Sequence, residues 1–381
     1  MSPVDRKLPT MKCFVACAIS LITVSVCRAD NDPEIPVEAA EPEAQYESAG
    51  IRIPAAMANE PIATLSVDKA AAYLEHGAAA WTREKQCISC HTNGTYLFIR
   101  PALTSTLGPP SEEIRDFFVE QLAEFQEFTD ETRRGGANPA GLIYLASGLA
   151  QWDAYVSKEI SRETDTALKL MLSIQQENGT WGVPDCWPPF ESSPYQTATM
   201  AVMALTAAPN WLDSVSDNAV KKQIEQLRSY LRHTAPVHDY ARVLKLWTST
   251  RFGGIMKDNE GQQIISMLLQ KQRPDGGWNI RDFAQPEEWG SGNRAEKLRE
   301  ESAAAKSASD GHMTGLALIV LHETETADST AAEQRGIAWI KSNQRESGRW
   351  WTRSLNTEDA HYITFSGTAY PLLALQLLDQ K

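Results

Sequence analysis

One spacing occurs three times in the chain: a glutamine, a glycine four residues on, and a tryptophan two residues after that. It is carried by Gln175-Gln176-Glu177-Asn178-Gly179-Thr180-Trp181, by Gln272-Arg273-Pro274-Asp275-Gly276-Gly277-Trp278 and by Gln344-Arg345-Glu346-Ser347-Gly348-Arg349-Trp350. An amphipathic stretch precedes each one: Ala167 to Ile174, Gln263 to Leu269 and Gly336 to Ile340. A small-residue, apolar stretch follows: Thr197 to Ala207, Met313 to Leu321 and Thr368 to Leu378. Glycine ends a helix by supplying left-handed backbone, and tryptophan can cover that end while its indole N–H finds a partner. The three segments therefore read as turns between an outer, amphipathic helix and an inner, more apolar one.

Three further helix pairs keep the rhythm without the glycine and tryptophan. They are Val67 to Glu84 with Leu97 to Leu107, Glu112 to Phe128 with Pro139 to Trp152, and Ala219 to Arg232 with Asp239 to Thr248. Strand-like alternation is almost absent. Six outer and six inner helices closing on themselves give an all-α fold, an α/α toroid of about six helix pairs. An open solenoid uses the same units. The stretch 281–310 carries Glu287, Glu288, Arg294, Glu296, Lys297, Arg299, Glu300 and Glu301, and reads as a solvated surface helix inserted before its inner helix, with a lid over that end of the toroid as the alternative.

The Gln-x-x-x-Gly-x-Trp spacing resembles the "QW" repeat of squalene and hopene cyclases and, more loosely, the helix pairs of protein prenyltransferase β subunits. The resemblance covers roughly residues 66–379 as architecture and implies the α/α toroid. It does not bring the chemistry with it. Those cyclases protonate an alkene with an Asp-x-Asp-Asp acid, and this sequence has none; Asp185 and the Glu358-Asp359 pair stand in unrelated contexts. The Asp, Cys and His zinc ligands of the prenyltransferases are not evident either.

The chain opens with basic residues (Arg6, Lys7, Lys12), then an apolar, uncharged run from Phe14 to Val26 that is too short to span a bilayer, then Cys27-Arg28-Ala29. That order reads as a signal peptide over residues 1–29, and so as a secreted or periplasmic protein. Residues 30–65, with Pro33, Pro36, Pro42 and Pro54 among acidic and small residues, read as a linker, of which 51–62 can pack on the domain, and residues 66–381 as the toroid. The whole chain carries a formal charge of −13, and loss of the leader would make it three charges more negative. So acidic a protein is not built for nucleic acid, and no later segment has the length and apolarity of a transmembrane helix.

Beyond the leader there are three cysteines, Cys87, Cys90 and Cys186. Cys87-Ile88-Ser89-Cys90-His91 is the c-type haem attachment pattern: two thiols three apart add to the two vinyl groups of one haem, and the adjacent histidine reaches the iron. Haem c on Cys87 and Cys90 is the expected cofactor, with His91 as a metal ligand; zinc on the same residues, or a Cys87–Cys90 disulfide, are the alternatives. The motif falls where sibling units have Gly-x-Trp, with Gln86 just before it. The haem is thus expected where the inner helices begin. Arg100 is the choice for a propionate or substrate-anion partner, and His312 with Met313 for the second iron ligand, ahead of Met200, His238 and His361. Cys186 reads as a buried thiol, with a redox thiol as the alternative. The reading that follows is an exported haem-binding toroid, transferring electrons to a redox partner protein or acting on a small apolar ligand. A haem-free terpenoid-cyclase-like enzyme and a non-catalytic binding scaffold are the other two classes.

Overall fold

The computed structural model describes residues 43–183, 187–190, 192–303, 306, 308–356 and 360–378. The leader 1–29, most of the first half of the linker, Asp185-Cys186 and Glu358-Asp359 lie outside the described residues.

Six helix pairs follow one another. Val67–Lys85 (α1) leads to Asn93–Ile99 (α2), Glu112–Glu127 (α3) to Asn138–Trp152 (α4), and Arg162–Ser173 (α5) to Pro194–Ala207 (α6). Asn218–His233 (α7) leads to Asp239–Ser249 (α8), Glu260–Lys271 (α9) to Gly311–Glu323 (α10), and Thr330–Ser342 (α11) to Ile363–Leu378 (α12). The even-numbered helices touch in the order α2, α4, α6, α8, α10, α12 and back to α2, so they form a closed inner ring. The fold is an α/α toroid. Outer helices bury one stripe, as in α7, where Val220, Ile224, Leu227 and Leu231 are buried at helical spacing. The inner helices α4 and α10 are buried almost all round.

The three repeated turns have one geometry. The glutamine amide donates to the glycine carbonyl, at 3.0 Å for Gln175, 2.8 Å for Gln272 and 2.8 Å for Gln344. The indole N–H donates to a carbonyl ten residues earlier, at 2.8 Å in each case: Trp181 to Met171, Trp278 to Leu268 and Trp350 to Ile340. That bond gives a carbonyl left over at the end of the outer helix its donor. The glycines have φ of +89°, +93° and +87°. A Cβ on Gly348 would lie 2.6 Å from the backbone carbon of Lys69 in α1. Gln344 also exchanges bonds with the Ser66 backbone, accepting from its N–H at 2.6 Å and donating to its carbonyl at 2.9 Å. The last repeat thus closes the ring on the first helix. Gly348→Ala is expected to destabilise the fold by about 2 kcal/mol or more, from left-handed backbone plus the Lys69 contact. Gly50→Ala is the control, since Gly50 has φ +80° but no atom within 4 Å of an added Cβ; urea unfolding of the two variants should separate the steric part.

Residues 43–65, read as linker, are built onto the toroid. Ala44–Ser48 (β1) pairs antiparallel with Ile51–Pro54 (β2), and β1 packs on α1. Ile62 bridges to Arg345. The charged stretch 281–310 also differs from a solvated helix, for Phe283 and Trp289 within it are buried.

Candidate functional site

The Cys87–Thr92 turn sits between α1 and α2. Gln86 ends α1 at φ +48°, and Asn93 pins the turn. Its amide donates to Cys87 O at 3.0 Å and Thr82 Oγ1 at 3.2 Å, while its oxygen accepts from Ser89 N at 2.8 Å. Trp81 Nε1 adds a bond to Cys87 O at 3.1 Å, and Thr95 Oγ1 one to Cys90 O at 2.6 Å. Gly94 allows the close approach, since a Cβ there would meet Ser89 O at 2.5 Å.

Cys90 is disulfide-bonded, and Cys87 is not its partner. The expected alternative of a Cys87–Cys90 bond is therefore corrected: in this structure the pair does not close on itself. His91 is buried among rings, with Trp81 at 4.7 Å edge-on, Tyr362 at 4.8 Å and Trp187 at 5.7 Å roughly parallel. Its Nδ1 lies 2.9 Å from Thr92 Oγ1. Burial lowers its pKa to about 3, so the imidazole is neutral. A cleft of about 660 Å³ runs beside Trp81, Tyr362 and Tyr46, with Glu43, Glu84 and Lys85 on its walls. Among the described residues no three His, Cys, Asp or Glu side chains converge as a metal cluster.

The other sequence candidates are dispersed. Arg100 follows α2 at its far end, donating to Gly108 O at 2.9 Å and Leu107 O at 3.2 Å, with Glu75 at 3.7 Å. It is not brought to the Cys87–His91 turn. His312 is fully buried in α10 with both ring nitrogens engaged, Nδ1 with Ser366 Oγ at 2.7 Å and Nε2 with Tyr240 Oη at 3.1 Å. Its nearest rings are Phe190, Tyr240 and Tyr370, not those around His91. Burial lowers its pKa to about 3 as well. Met313 and Met200 are core side chains. His238 caps α8, accepting from Ala241 N at 3.0 Å, and packs on Trp289; His361 Nδ1 accepts from Ser354 N at 3.1 Å.

Two features were missed in the sequence. Aromatic side chains cross the axis of the ring: Phe98 from α2 meets Trp247 from α8 at 5.9 Å, and Trp247 meets Tyr370 from α12 at 6.3 Å. Asp310, which precedes α10, is a buried carboxyl whose pKa burial raises to about 6. One oxygen accepts from Met313 N at 2.8 Å and the other from Ile280 N at 2.7 Å. Both bonds favour the charged form, and desolvation outweighs them. The acid is thus spent on the helix start. The Ser-Asp-Gly run before an apolar helix was the available signal, as a helix N-cap.

No family model matches the sequence, and no curated protein does. Among solved structures the chain is similar to ent-copalyl diphosphate synthase from Streptomyces platensis, at 16% identity and a TM-score of 0.44 over 75% of this chain. It spans 50% of that protein's length. It is also similar to the type II terpene cyclase MstE from Scytonema, solved as a variant with geranylgeranyl dihydroxybenzoate, at 12% identity and a TM-score of 0.43. That likeness covers 82% of this chain and 99% of the other.

Proposed function

We propose that the chain is an exported haem-c-binding toroid, with the haem on Cys87 and Cys90 and His91 as its iron ligand. The observation that carries the reading is the state of His91: a neutral imidazole directly after the cysteine pair, with Nδ1 in a hydrogen bond and Nε2 in none among the described residues. A neutral ring nitrogen without a hydrogen bond is what an iron ligand requires. Trp81 and Tyr362, which flank His91, also line the neighbouring cleft, and Asn93 and Trp81 hold the turn that would carry the group. Cys90 fits only as a thiol, so its disulfide must first be reduced. Bound haem would supply one-electron exchange at iron, for electron transfer to a partner protein or redox chemistry on a small apolar ligand.

The Cys90 disulfide itself favours a second reading, a haem-free binding scaffold in which the cysteine is structural. A terpenoid-cyclase-like activity is the third reading: the α/α toroid agrees with it, while rings meet at the centre of the ring and both oxygens of Asp310 accept hydrogen bonds. Full-length chain expressed with the c-type maturation machinery tests all three. The expected result is a Soret band that survives denaturation, a mass increase of one haem, and loss of both in Cys87→Ser/Cys90→Ser. A colourless protein that keeps its Cys90 disulfide would overturn the haem reading. A cyclised product after incubation with squalene would restore the cyclase; none is expected.

A further inference from the structure

We infer that the groove between β2, one face of α1 and the turn of the last repeat binds a small amphiphile, an apolar chain ending in a carboxylate, with its head at Arg349. No residue of the Cys87–His91 turn lines this groove, and the inference does not rest on haem.

Lys69, Ala72, Tyr73 and His76 of α1 line the groove, at the i, i+3, i+4 and i+7 spacing of one helix face. Ile53 and Pro54 of β2 and the half-exposed Met57 complete walls that are mostly apolar. The space is about 730 Å³, inside the range of about 300–1,000 Å³ usual for small-molecule sites. Its most buried charge is Arg349, at 4% exposure. The guanidinium lies over the Tyr73 ring, 5.5 Å from its centre. Nε donates to Ser347 Oγ at 2.9 Å, and Nη1 to Pro54 O at 2.8 Å and Gln45 Oε1 at 3.3 Å. Nη2 donates to Glu60 Oε2 at 3.2 Å. A guanidinium has five N–H groups, and these bonds use four of them. The second Nη2 proton has no acceptor among the described residues. A buried donor left over in the wall of a groove calls for an acceptor from outside.

Charge selects the head. Arg52, Lys69 and Arg349 line the groove against Glu60 and Glu346, so the patch is net positive on a chain of formal charge −13. Glu60 is already occupied by Arg349 and by Ser347 N at 2.7 Å. Among the described residues, Lys69 Nζ bonds only to the Glu346 carbonyl, at 3.1 Å. A carboxylate suits both donors, whereas a cationic head would be repelled.

The test is calorimetric titration of the full chain with dodecanoate at pH 8, beside dodecyltrimethylammonium, the same chain length under a cationic head. Saturable binding of one dodecanoate per chain is expected, tighter than the cation by about tenfold or more. Ala72→Trp changes an exposed position of α1 and fills the groove, so it should abolish binding while circular dichroism stays that of the wild type. Lys69→Gln should narrow the preference for the carboxylate by roughly threefold. Arg349 is left in place, because its bonds to Gln45, Pro54 and Glu60 hold the groove together. No saturable binding up to about 1 mM, equal affinity for the two heads, or undiminished binding in folded Ala72→Trp would overturn the site.

Discussion

Acidification from pH 7 to pH 4 is expected to cost the toroid on the order of 4 kcal/mol of stability, most of what an ordinary domain has. The cause is two imidazoles, His91 and His312, each held neutral by burial with a pKa of about 3 in place of 6.5. In the unfolded chain both bind a proton from about pH 6.5 downward, whereas in the folded chain they do so only near pH 3. The unfolded state therefore gains protons across that window, and stability falls as pH falls. Asp310 works the other way. Its raised pKa of about 6 makes the folded state the better proton binder between roughly pH 6 and pH 4, which adds stability on acidification. Two histidines against one carboxyl leave a net loss. Urea unfolding at pH 7, 5.5 and 4 measures it, and His312→Gln should remove roughly half of the histidine slope. A profile that is flat or rises toward acid would contradict the burial of these rings.

Trp247→Ala is expected to destabilise the protein by about 3–5 kcal/mol, in the range of other buried aromatic truncations. Trp247 is the side chain that both Phe98 and Tyr370 reach on the axis, so its truncation removes packing from both. Trp247→Phe should cost far less than the alanine change, within about 1.5 kcal/mol. The indole N–H is buried without a hydrogen-bond partner, and its removal offsets part of the lost packing. The alanine void should also admit a benzene-sized apolar probe. Thermal unfolding with and without benzene is the measurement: a rise in midpoint is expected for Trp247→Ala alone. A rise in wild type too would mean that the axis is already open.

The ring of helices was legible in the sequence because its signals are local. Gln272 closes a bond to the Gly276 carbonyl and Trp278 one to the Leu268 carbonyl, both within ten residues, so a spacing could announce the turn. The Cys87–His91 turn was legible for the same reason. What surrounds it was not. Tyr46 and Gln45 looked like linker because their partners, Thr92 and the His361 carbonyl, are 46 and 316 residues away. His312 looked like a ligand because nothing nearby shows that Ser366 and Tyr240 occupy its nitrogens. Arg100 stands at the other end of its helix from the turn: nine residues past His91 the chain has already run the length of α2 and turned toward Gly108.

The bond between the last repeat and Ser66 has a consequence for how the molecule comes apart. In an open array of repeats the two outermost units have one neighbour each, fray first, and let melting spread inward. A ring has no outermost unit. Each pair is clamped from both sides, and releasing any one of them also strips a neighbour on each flank. Unfolding should therefore be all-or-none for so long a chain, with amide exchange in α1 and α11 as slow as in α5 and α7. The seam at Gly348 and Lys69 is where a small perturbation would turn the circle into a line and give the molecule ends to unravel from.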